Sequence, residues 1–265
     1  MNKDLYNELF IRNKGILLEK EQNILKNSMI AVFGLGGLGG VICEILVRTG
    51  IEKLIIIDKD VYDSSNSNRQ IYANTTSVGK LKTDETEKRL KEINPNLQIE
   101  KYIIVDEDNI SQIMKNVNLA ILALDETLAC INISRECKKK KIPLIEGWAL
   151  PYGNVRVFSE DTPTLEEVYN LPTINKHLNS ISEDEKKELN LHMLLELRII
   201  DGIEQYYTGE AMERIKQKLI PSFAPMVWLT ACIMSFEVIK ILLNKPRISY
   251  SPKLNLFDPY YFKCN

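Results

Sequence analysis

The stretch Met29-Ile30-Ala31-Val32-Phe33-Gly34-Leu35-Gly36-Gly37-Leu38-Gly39-Gly40 decides the fold. Five apolar residues in an unbroken run suit a strand covered on both faces. The glycines that follow fit the spacing G-x-G-x-x-G, and a helix begins among them over 39–49. Glycine lets the backbone turn tightly and come close to a phosphate, and a helix N-terminus supplies partial positive charge there. Asp58 closes the next apolar run 22 residues after Gly36, at a place suited to holding ribose hydroxyls. The ordinary alternative is that the glycines serve strand–helix packing alone.

Outward from this unit, short apolar runs alternate with amphipathic stretches, which predicts strand–helix units and a parallel sheet. Strands are expected over 29–33, 53–57, 98–105, 119–124 and 142–146, with helices over 39–49, 82–93, 109–116 and 126–140. A strand over 155–158 alternates as antiparallel strands do, and 254–262 supplies a last one. Residues 1–27 read as a charged helical lead-in, and about 160–222 as a polar helical insertion, with Ser182 capping a helix before Glu183, Asp184 and Glu185. The helix over 224–243 carries a core stripe of Val227, Ala231, Met234, Val238 and Ile241. The expected fold is α/β: a Rossmann-like, doubly wound sheet, parallel and then antiparallel at one side, in a single domain spanning 1–265.

Composition narrows the function. The 265 residues hold 34 Lys and Arg against 36 Asp and Glu, a net charge of −2, so no global field attracts nucleic acid. The apolar stretch around 223–236 is interrupted by Pro225, Thr230 and Ser235, and the start MNKDLYNELF lacks the apolar core of a signal peptide. A cytoplasmic protein without membrane contact is expected. Its five cysteines, at 43, 130, 137, 232 and 264, include no C-x-x-C pair, which argues against zinc and for free thiols. His177 and His192 lie too far apart in the insertion to suggest a metal pair.

The segment Asp58-Lys59-Asp60-Val61-Tyr62-Asp63-Ser64-Ser65-Asn66-Ser67-Asn68-Arg69-Gln70 is too polar for a dehydrogenase helix. Gly79-Lys80-Leu81-Lys82 opens the next helix, and the strand over 119–124 runs into Asp125. Ligands sit at the carboxyl ends of parallel strands. Arg69, Lys82 and Asp125 can therefore converge beside the glycine loop, and two cations with one carboxylate suit a triphosphate with Mg²⁺. In ordinary readings Arg69 and Lys82 are solvated cations, Asp125 caps a helix, and the lysines 138–141 are a solvated helix end. Trp148 either stacks on a planar substrate or packs in the core.

The set GLGGLG, D-x-D, N-x-N-R-Q, G-K-x-K and a late L-D, in this order, resembles the ubiquitin-activating-enzyme-like superfamily that includes ThiF, MoeB and HesA. The resemblance covers Arg12 to about Gly147 and, more weakly, 221–262, where Glu237, Lys240 and Leu256–Asp258 are similar to the family's close. It implies an ATP-dependent adenylyltransferase that activates a carboxylate as an acyl-adenylate and releases pyrophosphate. Gly34, Gly36 and Gly37 then lie under the phosphates, Asp58 and Asp60 form the ribose-side acidic motif, and Asn66, Arg69 and Gln70 contact the nucleotide. Lys82 is matched to the phosphate lysine, Asp125 to the Mg²⁺-binding carboxylate, and Arg12 to an arginine that reaches across a homodimer.

Relatives that act on small ubiquitin-like sulfur carriers commonly carry paired C-x-x-C ligands and a cysteine in a crossover segment. Here no cysteine stands between Cys137 and Cys232. The favoured substrate is therefore a small-molecule or cofactor-precursor carboxylate whose acyl group passes to another protein or nucleophile. The insertion, with Tyr169, Tyr206 and Tyr207, is expected to lid it. Activation of a carrier's C-terminal glycine is the alternative, an NAD-dependent dehydrogenase a remote one, and a non-catalytic nucleotide-binding scaffold the last. Cys264 is the remaining candidate for a reactive thiol, the other four cysteines reading as packing.

Overall fold

A computed structural model of the chain describes residues 3–149, 153–196, 209–216, 220–253 and 255–257. Seven strands form one sheet in the order β3-β2-β1-β4-β5-β6-β7. They are β1 (Met29–Phe33), β2 (Lys53–Ile57), β3 (Gln98–Tyr102), β4 (Leu119–Leu122), β5 (Leu144–Ala149), β6 (Gly153–Phe158) and β7 (Asn255–Phe257). β3, β2, β1, β4 and β5 run parallel, while β6 and β7 pair antiparallel at one side. The doubly wound α/β sheet with an antiparallel side is thus the observed architecture. From β1 the chain crosses outward to β2 and β3, then returns to place β4 on β1's other flank, which opens a crevice at the carboxyl ends of β1 and β4.

Both faces are covered. On one, α3 (Gly37–Thr49) and α10 (Ala224–Leu242) bury Val32, Ile56, Ile121 and Ile145. On the other, α5 (Ile110–Ile113) and α6 (Thr127–Lys140) bury Phe33, Ile57 and Leu122, with Leu165, Tyr169 and Leu178 of the insertion joining the same core. The remaining helices are α1 (Lys3–Leu9), α2 (Glu19–Asn27), α4 (Lys82–Ile93), α7 (Leu165–Val168), α8 (Glu183–Glu196) and α9 (Gly209–Lys216). Among the described residues α10 alone is long and apolar enough to cross a membrane. With 19 residues it does not fall short of a span in length, but Met226, Val227, Ala231, Met234 and Val238 are buried against the protein itself.

Several boundaries differ from those expected, for local reasons. α3 starts at Gly37, because the loop needs only Gly34 in a left-handed conformation (φ +94°) before the helix begins. β3 ends at Tyr102, which leaves 103–105 as a loop, and α5 has only four residues. α6 ends on Lys141 in the left-handed region (φ 57°), so β5 begins two residues later than expected, after Pro143. The lysines at this helix end are not simply solvated: Lys138 Nζ donates to the carbonyls of Glu160 and Thr162, each at 2.7 Å. Ser182 caps α8 as expected, its hydroxyl accepting from Glu185 N–H at 3.3 Å. Tyr206, Tyr207 and Cys264 lie outside the described residues.

The lead-in is clamped to α3 by Tyr6, whose buried hydroxyl donates to Gly50 O at 2.7 Å. Burial pushes this phenol up to about 12. Because the folded value lies above the usual 10, the stability it contributes is present below pH 10 and is lost as pH rises through 12. A loss of about 2 kcal/mol over that window, removed in Tyr6→Phe, is expected in urea titrations across pH. The glycine loop supplies a sharper test. A Cβ on Gly39 would stand 1.8 Å from Gly34 O, whereas one on Gly79 meets nothing within 4 Å. Gly39→Ala should cost about 3 kcal/mol or more by urea unfolding, and Gly79→Ala only about 1 kcal/mol of backbone strain.

Candidate nucleotide site

The crevice is a cleft of about 590 Å³ at the ends of β1, β2 and β4. Its floor is the glycine loop. Gly34 N–H donates to Ile57 O at 2.8 Å, and a Cβ on Gly34 would lie 2.4 Å from Ala123 O. Packing therefore fixes this glycine and Gly39, so the ordinary explanation holds for them. Gly36 differs: a Cβ there would meet nothing closer than Gln70 Nε2, at 3.7 Å.

Asp58 ties the floor to the wall. Its Oδ2 accepts from Leu35 N–H at 2.7 Å and its Oδ1 from Asp60 N–H at 2.8 Å. Burial raises its carboxyl above the usual range, opposed by the charge of Lys82 and by these two N–H groups. Lys82, itself buried, donates to Asp60 Oδ2 at 2.8 Å and stands 4.0 Å from Asp58 Oδ1. Lys59 pairs with Glu126 at 2.8 Å. Among the described residues Asp125 is then the cleft carboxylate that no hydrogen bond or ion pair uses. It does not cap α6, because Asn190 Oδ1 of the insertion accepts from Thr127 N–H at 3.0 Å.

Arg69 reaches the cleft from the polar segment after β2. Its guanidinium donates to Asn68 Oδ1 at 2.8 Å and to Ser65 O at 3.2 Å, both neutral acceptors, so its charge stays available. Trp228 Nε1 of α10 donates to Arg69 O at 2.9 Å, and Asn68 Nδ2 to Ser222 O at 2.8 Å. Gln70 lines the cleft beside Gly36, and its buried Oε1 has no hydrogen-bond partner among the described residues. The apolar end consists of Ile103, Ile104 and Val105 with Leu124, and Ile104 is 57% exposed.

Of the residues singled out in the sequence, Gly34, Gly36, Gly37, Asp58, Asp60, Arg69, Gln70, Lys82 and Asp125 line this one cleft. Asn66 does not. Its Oδ1 accepts from Asp63 N–H at 3.1 Å and closes the cap of a 3₁₀ turn over Ser64–Asn68. Arg12 also lies elsewhere, exposed on a 3₁₀ turn over Ile11–Asn13. Trp148 lines the cleft, while Tyr169 turns inward and is buried instead of covering it. Sequence reading missed Asn68, Ser222, Trp228 and the apolar patch after β3. For the patch the signal was present, as three β-branched residues running beyond the strand.

A glycine floor, an acidic strand end, two cations and a carboxylate thus meet at the switch point of a doubly wound α/β sheet. Residues 11–265 match the family model described as "ThiF family", and the chain belongs to that family. The tRNA threonylcarbamoyladenosine dehydratase of Bacillus subtilis (strain 168) is 36% identical over 138 residues, 51% of this chain and 54% of its own length. The molybdopterin-synthase adenylyltransferase of Haemophilus influenzae is 30% identical over 167 residues, 60% of this chain and 69% of its own length. The chain thus spans about half the length of the first of these relatives. Among solved structures, the Escherichia coli dehydratase TcdA in complex with AMP superposes with a TM-score of 0.65 at 23% identity, covering 92% of this chain and 98% of that one. PaaA gives 0.68 at 22% identity, covering 99% and 72%. At these identities the superpositions show the fold.

The insertion docks beside the site through Arg135, which donates to both carboxylate oxygens of buried Glu166 and to Thr173 O, all at 2.8 Å. Arg135→Ala leaves Glu166 uncompensated. It should loosen the insertion by about 2 kcal/mol, read as faster amide hydrogen exchange over 164–196 with the sheet unchanged.

Proposed function

We propose that the protein binds ATP in this cleft and transfers its adenylyl group to a carboxylate. The observation that carries the reading is the convergence of Arg69, Lys82, Gln70, Asp58 and Asp125 on one glycine-floored cleft, in a chain of a family whose relatives include a named adenylyltransferase. Asp58 keeps lone pairs for ribose hydroxyls after accepting two backbone N–H bonds. Ile103, Ile104 and Val105 offer an apolar surface to the base.

The chemistry suits the donor set. The substrate's carboxylate oxygen attacks the α-phosphorus, the bond to pyrophosphate breaks, and an acyl-adenylate forms. A carboxylate is already ionised at neutral pH, so no side chain has to remove a proton. The difficulty is repulsion between anions, and fixed cations in near-attack geometry relieve it. Arg69 holds an unneutralised charge there, and Lys82 can exchange Asp60 for a phosphate. Asp125, unpartnered and exposed, is the residue to hold Mg²⁺, a hard cation that needs only one or two protein carboxylates beside phosphate oxygens. When bound, the ion neutralises the leaving pyrophosphate.

Finer points belong to the same proposal. The substrate is a small-molecule or cofactor-precursor carboxylate, and its acyl group is handed on. This rests on the absence of cysteine between 137 and 232 and on thiols at 43, 130 and 137 that burial pushes far from ionisation. The protein acts as a homodimer in which Arg12 reaches the partner's phosphates. Support comes from Arg12 lying outside its own cleft on a lead-in that exposes Ile11, Ile16 and Leu18, with Ile16 84% exposed.

Asp125→Ala should lower ATP–pyrophosphate exchange by about 100-fold or more while leaving the melting temperature unchanged. Full exchange in that variant contradicts the reading.

A further inference from the structure

Helix α8 of the insertion meets the start of α6 through one polar bond. Leu189 and Met193, one turn apart on α8, are buried. Asn190 instead reaches the first residue of α6, where its Oδ1 accepts from Thr127 N–H at 3.0 Å. Thr127 is buried, and a buried N–H needs a partner. Elsewhere this chain meets that need locally. A side-chain oxygen accepts from the N–H two residues on at Asp58, Asp63, Asn74, Asn94 and Asp106, over 2.8 to 3.1 Å. Asp125 stands in the same relation to Thr127, yet Asn190 holds that N–H. Glu126 between them is extended, with φ −90° and ψ 103°. A turn of this kind needs φ near −90° and ψ near 0° there, so a rotation of about 100° in ψ alone would close it. The exposed Lys59–Glu126 pair does little to oppose that rotation.

We propose that Asn190 is a positioning residue for adenylyl transfer, holding Thr127 N–H so that the Asp125 carboxylate stays open to Mg²⁺. The role deepens the adenylation reading and rests on it. Without Asn190, Thr127 N–H recruits Asp125, and a carboxylate spent on a backbone donor and turned toward its own helix is a weaker metal ligand. The docked insertion thereby takes part in the site: α8 has to sit on α6 for Asp125 to be free. Fastening α8 does not by itself call for this bond, because Leu189 and Met193 already bury one face of the helix.

The full chain can be tested without any acyl substrate. Amide hydrogen exchange at Thr127 is followed by NMR in the ligand-free protein. Asp125→Ala should leave it unchanged while Asn190 is present, and should speed it about tenfold in Asn190→Leu, where Asp125 is the remaining partner. Calorimetry then compares ATP binding with and without Mg²⁺. Asn190→Leu should reduce the tightening by Mg²⁺ about tenfold while metal-free ATP affinity is kept. Adding Thr127→Pro should restore it, since proline suits a first helical position and offers no N–H for Asp125 to take. Thr127 exchange in Asn190→Leu that ignores Asp125, or Mg²⁺ tightening equal to that of the native chain, overturns the role. A loss that Thr127→Pro leaves unrepaired in a folded protein marks a docking contact alone and overturns it too. Failure of the native chain to bind ATP overturns the adenylation reading, and the role with it.

Discussion

One buried carboxylate holds the site together. Asp58 accepts the Leu35 N–H from the glycine loop and the Asp60 N–H from its own loop, so the two backbones that frame the cleft are fixed to each other. Burying that charge is unfavourable, which shows as its raised carboxyl, and Lys82 beside it is the compensating cation. The lysine is in turn held by Asp60, so loop, strand end and helix α4 share one charge network. The same two acidic residues and lysine then meet the nucleotide in the proposed reaction. Architecture and chemistry depend on the same atoms.

Much of this was legible in sequence because it is local. β1, β2 and α4 fall on the expected residues, since each is an apolar or amphipathic run closed by an unambiguous signal: Gly34, Asp58, or Pro95 after Asn94. The strand ends carry Asp58 and Asp125 by position alone. What sequence could not show is contact between distant segments. Trp228 reaches Arg69 across 159 residues, Asn68 reaches Ser222 across 154, and Asn190 reaches Thr127 across 63. Such side chain–backbone bonds leave no periodicity. Asn66 lies apart from the cleft lining for the opposite reason: its amide is used by a local turn, as asparagine in a polar segment often is.

The cysteines illustrate how burial decides chemistry. Cys43, Cys130 and Cys137 are enclosed, and desolvation holds each as a thiol. Cys232 is the exception to the packing expected of it, for it lies exposed on α10 near exposed Trp228 and Phe236. The insertion packs on the same core through Leu165, Tyr169 and Leu178. Its described part is anchored at its base by Arg135, Lys138 and Asn190, and it places Tyr169 against Glu146 behind the cleft wall.

The central claim is that the cleft is built for a triphosphate rather than for a dinucleotide. Competitive calorimetric titration of ATP and NAD⁺ with Mg²⁺ present tests it most directly. The account predicts that ATP binds at least about 100-fold tighter than NAD⁺, a gap of about 2.7 kcal/mol. Tighter binding of NAD⁺, or no binding of ATP, would contradict it.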